Sequence, residues 1–239
     1  MDHRADIAAA AAAICPPDEA ARAQACKRQA QLTKPAGALG RIEELHVWAA
    51  GVLRDVAPEP PRKLIVVAAA DHGVAADGVS AYPPAVTAQM VRNFLAGGAA
   101  VNVLAAQAGA KVRIVDAGVL EDIDDARLHV AKVRRGTDSF VRGPAMSTDE
   151  AALLVARGIA FARDLCAGPP AAIGLGDMGI GNTAAAAAIT SVMTFAPPRL
   201  TAGRGTGLDD ASFAAKIEAI ERAIAVNEPR ASDPLDVLS

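Results

Sequence analysis

The stretch Lys63-Leu64-Ile65-Val66-Val67-Ala68-Ala69-Ala70-Asp71-His72-Gly73-Val74 decides the fold. Successive side chains of a strand point to opposite faces, so a strand with one face in water alternates polar and apolar residues. From Leu64 to Ala70 there is no alternation. An unbroken apolar run ending in a polar turn reads as a strand covered on both faces, as in a parallel sheet.

The same pattern returns at Val112-Arg113-Ile114-Val115-Asp116-Ala117-Gly118-Val119 and, shorter, from Ala171 to Leu175. Helical patterns lie between these runs, at Ala85 to Leu95, Gly98 to Ala108 and Thr148 to Cys166. Another runs from Asp209 to Asn227, stopped by Pro229. This alternation predicts an α/β fold: a mainly parallel sheet flanked by helices, in a Rossmann-like three-layer arrangement. Asp71, Asp116 and Asp177 all fall just past strand ends, the edge at which open α/β sheets bind ligands. Upstream, Asp18 caps a helix that reaches about Leu32. A breaker-rich loop, Thr33 to Gly40, leads to a second helix over Arg41 to Val56. Ile42, Leu45, Val47, Trp48 and Val52 form its apolar stripe. Pro58, Pro60 and Pro61 mark the boundary between a small N-terminal helical lobe, 1–60, and an α/β nucleotide-binding domain, 61–239. No finished element is expected from Arg230 to Ser239.

Composition narrows the classes. The chain of 239 residues carries a net charge of -3, so nothing favours binding to a nucleic-acid backbone. Apolar residues make up 52% but aromatics only 3%, so helices are expected to pack through small side chains. Cys15, Cys26 and Cys166 are scattered and show no C-x-x-C spacing, which fits a reducing, cytoplasmic compartment. No apolar run has the length of a membrane span. The run from Ala8 to Ile14 is too short for a leader, and Asp2 and Asp6 interrupt the positive region a leader needs. It reads as an alanine-rich helix closed by Pro16-Pro17.

Gly174-Leu175-Gly176-Asp177-Met178-Gly179 has the spacing G-x-G-x-x-G. A dinucleotide site also needs an acidic residue about twenty positions later, at the end of a second strand. That window holds Phe195-Ala196-Pro197-Pro198-Arg199, with no carboxylate. A P-loop fails as well, since no G-K-[ST] follows. What remains is a run of backbone N–H groups entering a helix at Asn182-Thr183, which attracts an anion. Gly203-Arg204-Gly205-Thr206-Gly207 is a second glycine loop before a helix, with Arg204 as a positive fork. Each loop alone reads as a tight connection. Together, beside a strand-end carboxylate, they point to a phosphorylated sugar. His72, beside Asp71, reads as a hydrogen-bonded turn residue, and no spacing of histidines suggests a metal.

Several stretches together resemble the nicotinate-nucleotide:dimethylbenzimidazole phosphoribosyltransferases. They are Lys34-Pro35-Ala36-Gly37-Ala38-Leu39-Gly40-Arg41, Asp71-His72-Gly73-Val74, Gly78-Val79-Ser80-Ala81-Tyr82-Pro83, Gly97-Gly98-Ala99-Ala100, Arg142-Gly143-Pro144, Gly176-Asp177-Met178-Gly179-Ile180-Gly181-Asn182-Thr183, and Gly203-Arg204-Gly205-Thr206-Gly207-Leu208-Asp209-Asp210. The resemblance implies phosphoribosyl transfer from nicotinate mononucleotide to dimethylbenzimidazole, giving α-ribazole phosphate for the cobalamin lower ligand. It implies no metal or redox cofactor, and a homodimer. Ser80, Tyr82 and Gln89 fall in the segment lining the benzimidazole pocket. Asp177, Met178, Gly179, Ile180, Gly181 and Asn182 match the nucleotide loop. Gly203, Arg204, Gly205 and Lys216 are expected phosphate or ribose contacts. By spacing alone, Lys216 reads equally as a solvated helix lysine.

Asp177 stands where the family usually has glutamate. The family also runs longer, and its general-base glutamate lies in that further part, along with residues that complete the helical lobe. Asp177 is therefore the expected catalytic carboxylate here, in a chain of impaired activity whose lobe exposes apolar surface. A non-catalytic nucleotide- or azole-binding relative is the second reading, and a nicotinamide-dependent oxidoreductase the third.

Overall fold

The computed structural model describes residues 3–239; Met1 and Asp2, the latter used against a leader, lie outside them. Three helices come first: α1 (His3–Ala12), α2 (Glu19–Gln31) and α3 (Arg41–Leu53). Then β1 (Arg62–Ala70) enters the sheet and is followed by a 3₁₀ turn (Gly73–Asp77), α4 (Ala85–Ala96) and α5 (Ala100–Gln107). After β2 (Lys111–Gly118) and β3 (Leu128–Val130), α6 (Thr148–Cys166) leads to β4 (Ala171–Met178). The chain closes with α7 (Asn182–Thr194), α8 (Pro198–Thr201), α9 (Asp210–Asn227) and α10 (Pro234–Leu238).

The strands lie in the order β3-β2-β1-β4, and every pairing is parallel. Neighbouring residues feed opposite cores, as the pleat requires. Val67, Ala69 and Ile114 pack with Ala88, Val91 and Phe94 of α4 on one face. Val66 and Val115 pack with Phe161 and Leu165 of α6 on the other. β1 and β2 are thus covered on both sides, as their apolar runs predict. A third core, around Val74, Ala184, Ala187 and Ile220, sits beyond the carboxyl ends of the strands and joins α7 to α9.

β1 leads through α4 and α5 to β2 on one side, while β4 lies on the other side. The carboxyl ends of β1 and β4 therefore flank the point where strand order reverses, the place at which open α/β sheets bind ligands.

Several expectations need correction. β4 continues past Leu175 into the glycine segment, and it is an edge strand: Leu175 is 84% exposed. The apolar composition that reads as burial on both faces is here left open. α3 stops at Leu53 rather than Val56 because Arg54 takes a left-handed conformation, φ 55°. The last ten residues do contain a short helix, α10, started by Asp233, whose side chain accepts from the amides of Leu235 and Asp236. β3 and α8 are too short to show a period.

α2 and α3 pack on each other, whereas α1 lies against α6. Asp18 caps α2 by accepting from the Ala21 amide. Ile42, Leu45, Trp48 and Val52 of α3 are all exposed. Among the described residues, no helix is long and apolar enough to cross a membrane.

Candidate active site

Of the three strand-end carboxylates, two are structural. Asp116 is buried: its Oδ1 accepts from the amides of Gly118 and Val119, and its Oδ2 pairs with Lys132 Nζ at 2.9 Å. Asp71 is buried as well and accepts from the Leu120 amide at 2.8 Å. Asp177 alone of the three is exposed. Asn182 holds it, donating Nδ2 to Asp177 Oδ2 at 2.5 Å, while Asn182 Oδ1 accepts from the Thr183 amide.

The bend between β4 and α7 fits tightly against β1. A Cβ at Gly179 would lie 2.0 Å from the Ala70 carbonyl oxygen, and Gly181 has φ 96°. The expected run of open amides is largely closed. Ile180 N donates to Thr87 Oγ1, Asn182 N to Gly179 O, Thr183 N to the Asn182 side chain and Ala184 N to Gly181 O. Ile180 is buried and Met178 packs against the core around α4, so their side chains serve packing.

The second glycine loop leans on the first through a lysine. Lys216 is 1% exposed, and its ammonium donates to Thr183 Oγ1 at 2.7 Å and to Gly203 O at 2.9 Å. The solvated-lysine reading is therefore wrong. Burial pushes this ammonium below the usual lysine range. It lies close under the loop: a Cβ at Gly205 would come 3.3 Å from Nζ. A third N–H of the ammonium has no partner in these bonds. Arg204 turns away from the Lys216 bridge. It donates to the Leu208 carbonyl at 2.9 Å, pairs with Asp210 and lies over the Phe213 ring.

On the facing side, Ser80 and Tyr82 lie in the segment between the 3₁₀ turn and α4. Ala81 N donates to Thr206 Oγ1 at 3.2 Å, and Ser80 Oγ lies 3.3 Å from the same hydroxyl. Tyr82 is 55% exposed and Gln89 is exposed on α4. The strand ends thus bring together residues 80–82, 177–183 and 203–207, far apart in the chain. The hydroxyls of Thr87, Thr183 and Thr206 hold them together, a role that the sequence reading gave to none of these side chains. Their partners lie 33 to 126 residues away in the chain, which no local period records.

His72 sits at the carboxyl end of β1 against both bend glycines: Cβ atoms at Gly179 and Gly181 would lie 3.1 and 3.2 Å from its side chain. Burial lowers its pKa below the ordinary histidine value, and the nearby carboxylates of Asp71 and Asp177 oppose that shift. The expected hydrogen-bonded turn role finds no side-chain partner for it among the described residues. His46 and His129 lie away from this site: His46 is hydrogen-bonded through both ring nitrogens, to Gln29 Nε2 and the Val56 carbonyl, and His129 stacks on Phe161. Among the described residues, no cluster of three or more metal-ligating side chains occurs. A hollow of about 810 Å³ lies in the α2–α3 hairpin, lined by Arg22, Lys34 and Trp48, with none of its walls from the sheet edge.

The window after the glycine bend carries no second strand. Phe195 is left-handed and Pro198 begins α8, so nothing there can hold the ribose of a dinucleotide.

A phosphoribosyltransferase family model matches residues 14–239. The chain belongs to that family. Nicotinate-nucleotide–dimethylbenzimidazole phosphoribosyltransferase from Geobacter sulfurreducens is 46% identical to it over 95% of this chain and 64% of its own length. The protein of the same description from a Roseiflexus species is 48% identical over 95% and 65%. The crystal structure of CobT from Thermus thermophilus superposes with a TM-score of 0.86 at 45% identity, covering 91% of this chain and 66% of that one. This phosphoribosyltransferase homologue therefore spans less than two thirds of the length of the relatives it matches.

Proposed function

We propose that the β1/β4 crevice binds nicotinate mononucleotide and a benzimidazole and transfers the phosphoribosyl group between them. One observation carries the reading. Residues 80–82, 177–183 and 203–207 meet at the strand-order reversal and are tied by side-chain hydrogen bonds. Lys216, with a free N–H beneath the 203–207 loop, takes the phosphate. The exposed Asp177 accepts from a ribose hydroxyl or from the azole N–H. A carboxylate at the entrance to α7 repels a phosphate there, which favours the second loop for that group. Tyr82 and Gln89 offer a flat wall and a polar end to the azole.

Chemically, a benzimidazole nitrogen donates its pair to the anomeric carbon while the bond to nicotinate breaks. That bond's electron pair neutralises the pyridinium, and the azole N–H proton leaves to a carboxylate. The leaving group is already cationic, so positioning and one proton transfer are the enzyme's tasks. We place the protein in the cytoplasm as a homodimer. The cysteines, all free, fit that compartment.

The test is to incubate the chain with nicotinate mononucleotide and dimethylbenzimidazole and follow free nicotinate. Turnover supports the transferase. Binding of both without turnover supports the second reading, a binding-only relative. Tight NAD binding with no mononucleotide binding overturns both. In the Asp177→Ala variant, mononucleotide affinity is expected to fall by about 1–3 kcal/mol, the cost of leaving a hydrogen-bond partner unsatisfied.

A further inference from the structure

We propose that Thr206 is a positioning residue that couples the two halves of the crevice, so that a ligand on the glycine-loop side strengthens binding on the Ser80–Tyr82 side. This rests on the reading above, in which residues 203–207 take a phosphate and residues 80–82 an azole.

Among the described residues, every hydrogen bond between these two loops passes through the Thr206 hydroxyl. Only one of the two bonds has a fixed direction. The Ala81 amide can only donate, so Thr206 Oγ1 accepts from it at 3.2 Å. Ser80 Oγ accepts from the Tyr82 amide at 3.3 Å. Thr206 keeps its own proton, and Ser80 Oγ, 3.3 Å away, has a lone pair to receive it. The Thr206 hydroxyl thus accepts from the Ala81 amide and shares a second bond with the Ser80 hydroxyl, in which either oxygen can donate. Each donor in such a chain polarises the next.

The other end of the linkage is anchored. Gly205 and Gly207 have φ of 54° and 88°, conformations that a side chain would resist. They let the loop present Thr206 outward while Lys216 grips Gly203 beneath it. Both loops are largely exposed, and among the described residues this bridge is their hydrogen-bonded tie to each other. A phosphate that fixes the 203–207 loop also fixes Thr206, and with it the position of the Ser80 hydroxyl. Ordering one loop then lowers the entropy lost in ordering the other.

The experiment uses the chain as it exists and two probes that cannot react together: ribose 5-phosphate, which lacks the pyridine leaving group, and dimethylbenzimidazole. Calorimetry measures each affinity with and without the other at saturation. Tightening of about fivefold or more is expected, by the same factor in both directions. Thr206→Val should bring that factor to about one with unchanged circular dichroism, and Thr206→Ser should restore it. The inference is overturned if Thr206→Val keeps the full factor, or if the wild type binds both probes independently. Failure of the wild type to bind one or both probes overturns the assignment of the site, and this inference with it.

Discussion

A Cβ built on Gly179 stands 2.0 Å from the carbonyl oxygen of Ala70. Both atoms are held by backbone, so neither can swing aside. Gly179→Ala must push β4 away from β1 at the mouth of the crevice. We expect it to cost about 3 kcal/mol or more, at the upper end of overpacking effects. Gly176→Ala is the control: its Cβ would meet Val66 O at an ordinary 3.9 Å. Urea denaturation of the two variants should separate them clearly. Equal midpoints would mean that the bend is looser than this contact requires.

The run Leu64 to Ala70 announced its strand because burial on two faces leaves no room for alternation. The helix over Thr148 to Cys166 matched to the residue because Ser147 and Glu150 form a reciprocal cap. The order β3-β2-β1-β4 was not legible, since strand pairing depends on long-range packing that no local pattern records. The same limit applies to the site. Glycines that need positive φ or a close approach stand out in a sequence. The roles of Lys216 and Thr206 depend on what the fold places opposite them. Asp71, Asp116 and Asp177 look alike in sequence, and only packing divides two buried caps from one exposed carboxylate.

Lys216 joins the two glycine loops by donating to Thr183 and Gly203. Lys216→Met fills the space but removes the charge and both bonds. Affinity for ribose 5-phosphate should fall by about 1.5–3 kcal/mol, the worth of hydrogen bonds to a charged group. Stability should change less, because burying the ammonium already carries a desolvation cost. Calorimetry and urea denaturation on the same samples test both halves. Unchanged phosphate affinity would remove Lys216 from the site.

His72 makes stability depend on pH. Its folded pKa lies below the ordinary value of 6.5 because burial penalises the imidazolium, with Asp71 and Asp177 opposing. Between the folded and unfolded pKa values the unfolded chain binds more protons, so stability rises with pH. The contribution is complete above pH 6.5 and is lost as pH falls toward the folded value, with a slope of at most about 1.4 kcal/mol per pH unit. His72→Asn should lack this component. Denaturation midpoints from pH 7.5 down to 5.5 check it, and parallel profiles for wild type and variant would refute it.

Leu175 projects from an edge strand whose outer side carries no paired neighbour among the described residues, and it is 84% exposed. Ala172, Gly174 and Gly176 beside it are also exposed, and the strand carries no charge before Asp177. Natural edges are guarded by lysine, proline or a bulge, and β4 has none of these before its last turn. Free backbone groups and an apolar side chain together invite a second strand. The chain is therefore expected to self-associate as its concentration rises, with apolar contact at Leu175 contributing. Leu175→Lys puts a charge at the centre of that edge and changes no core contact, so it should move the association midpoint to at least about tenfold higher concentration, roughly 1.4 kcal/mol. Sedimentation equilibrium of the two proteins reads this directly. If both sediment alike across the range, β4 is not the contact.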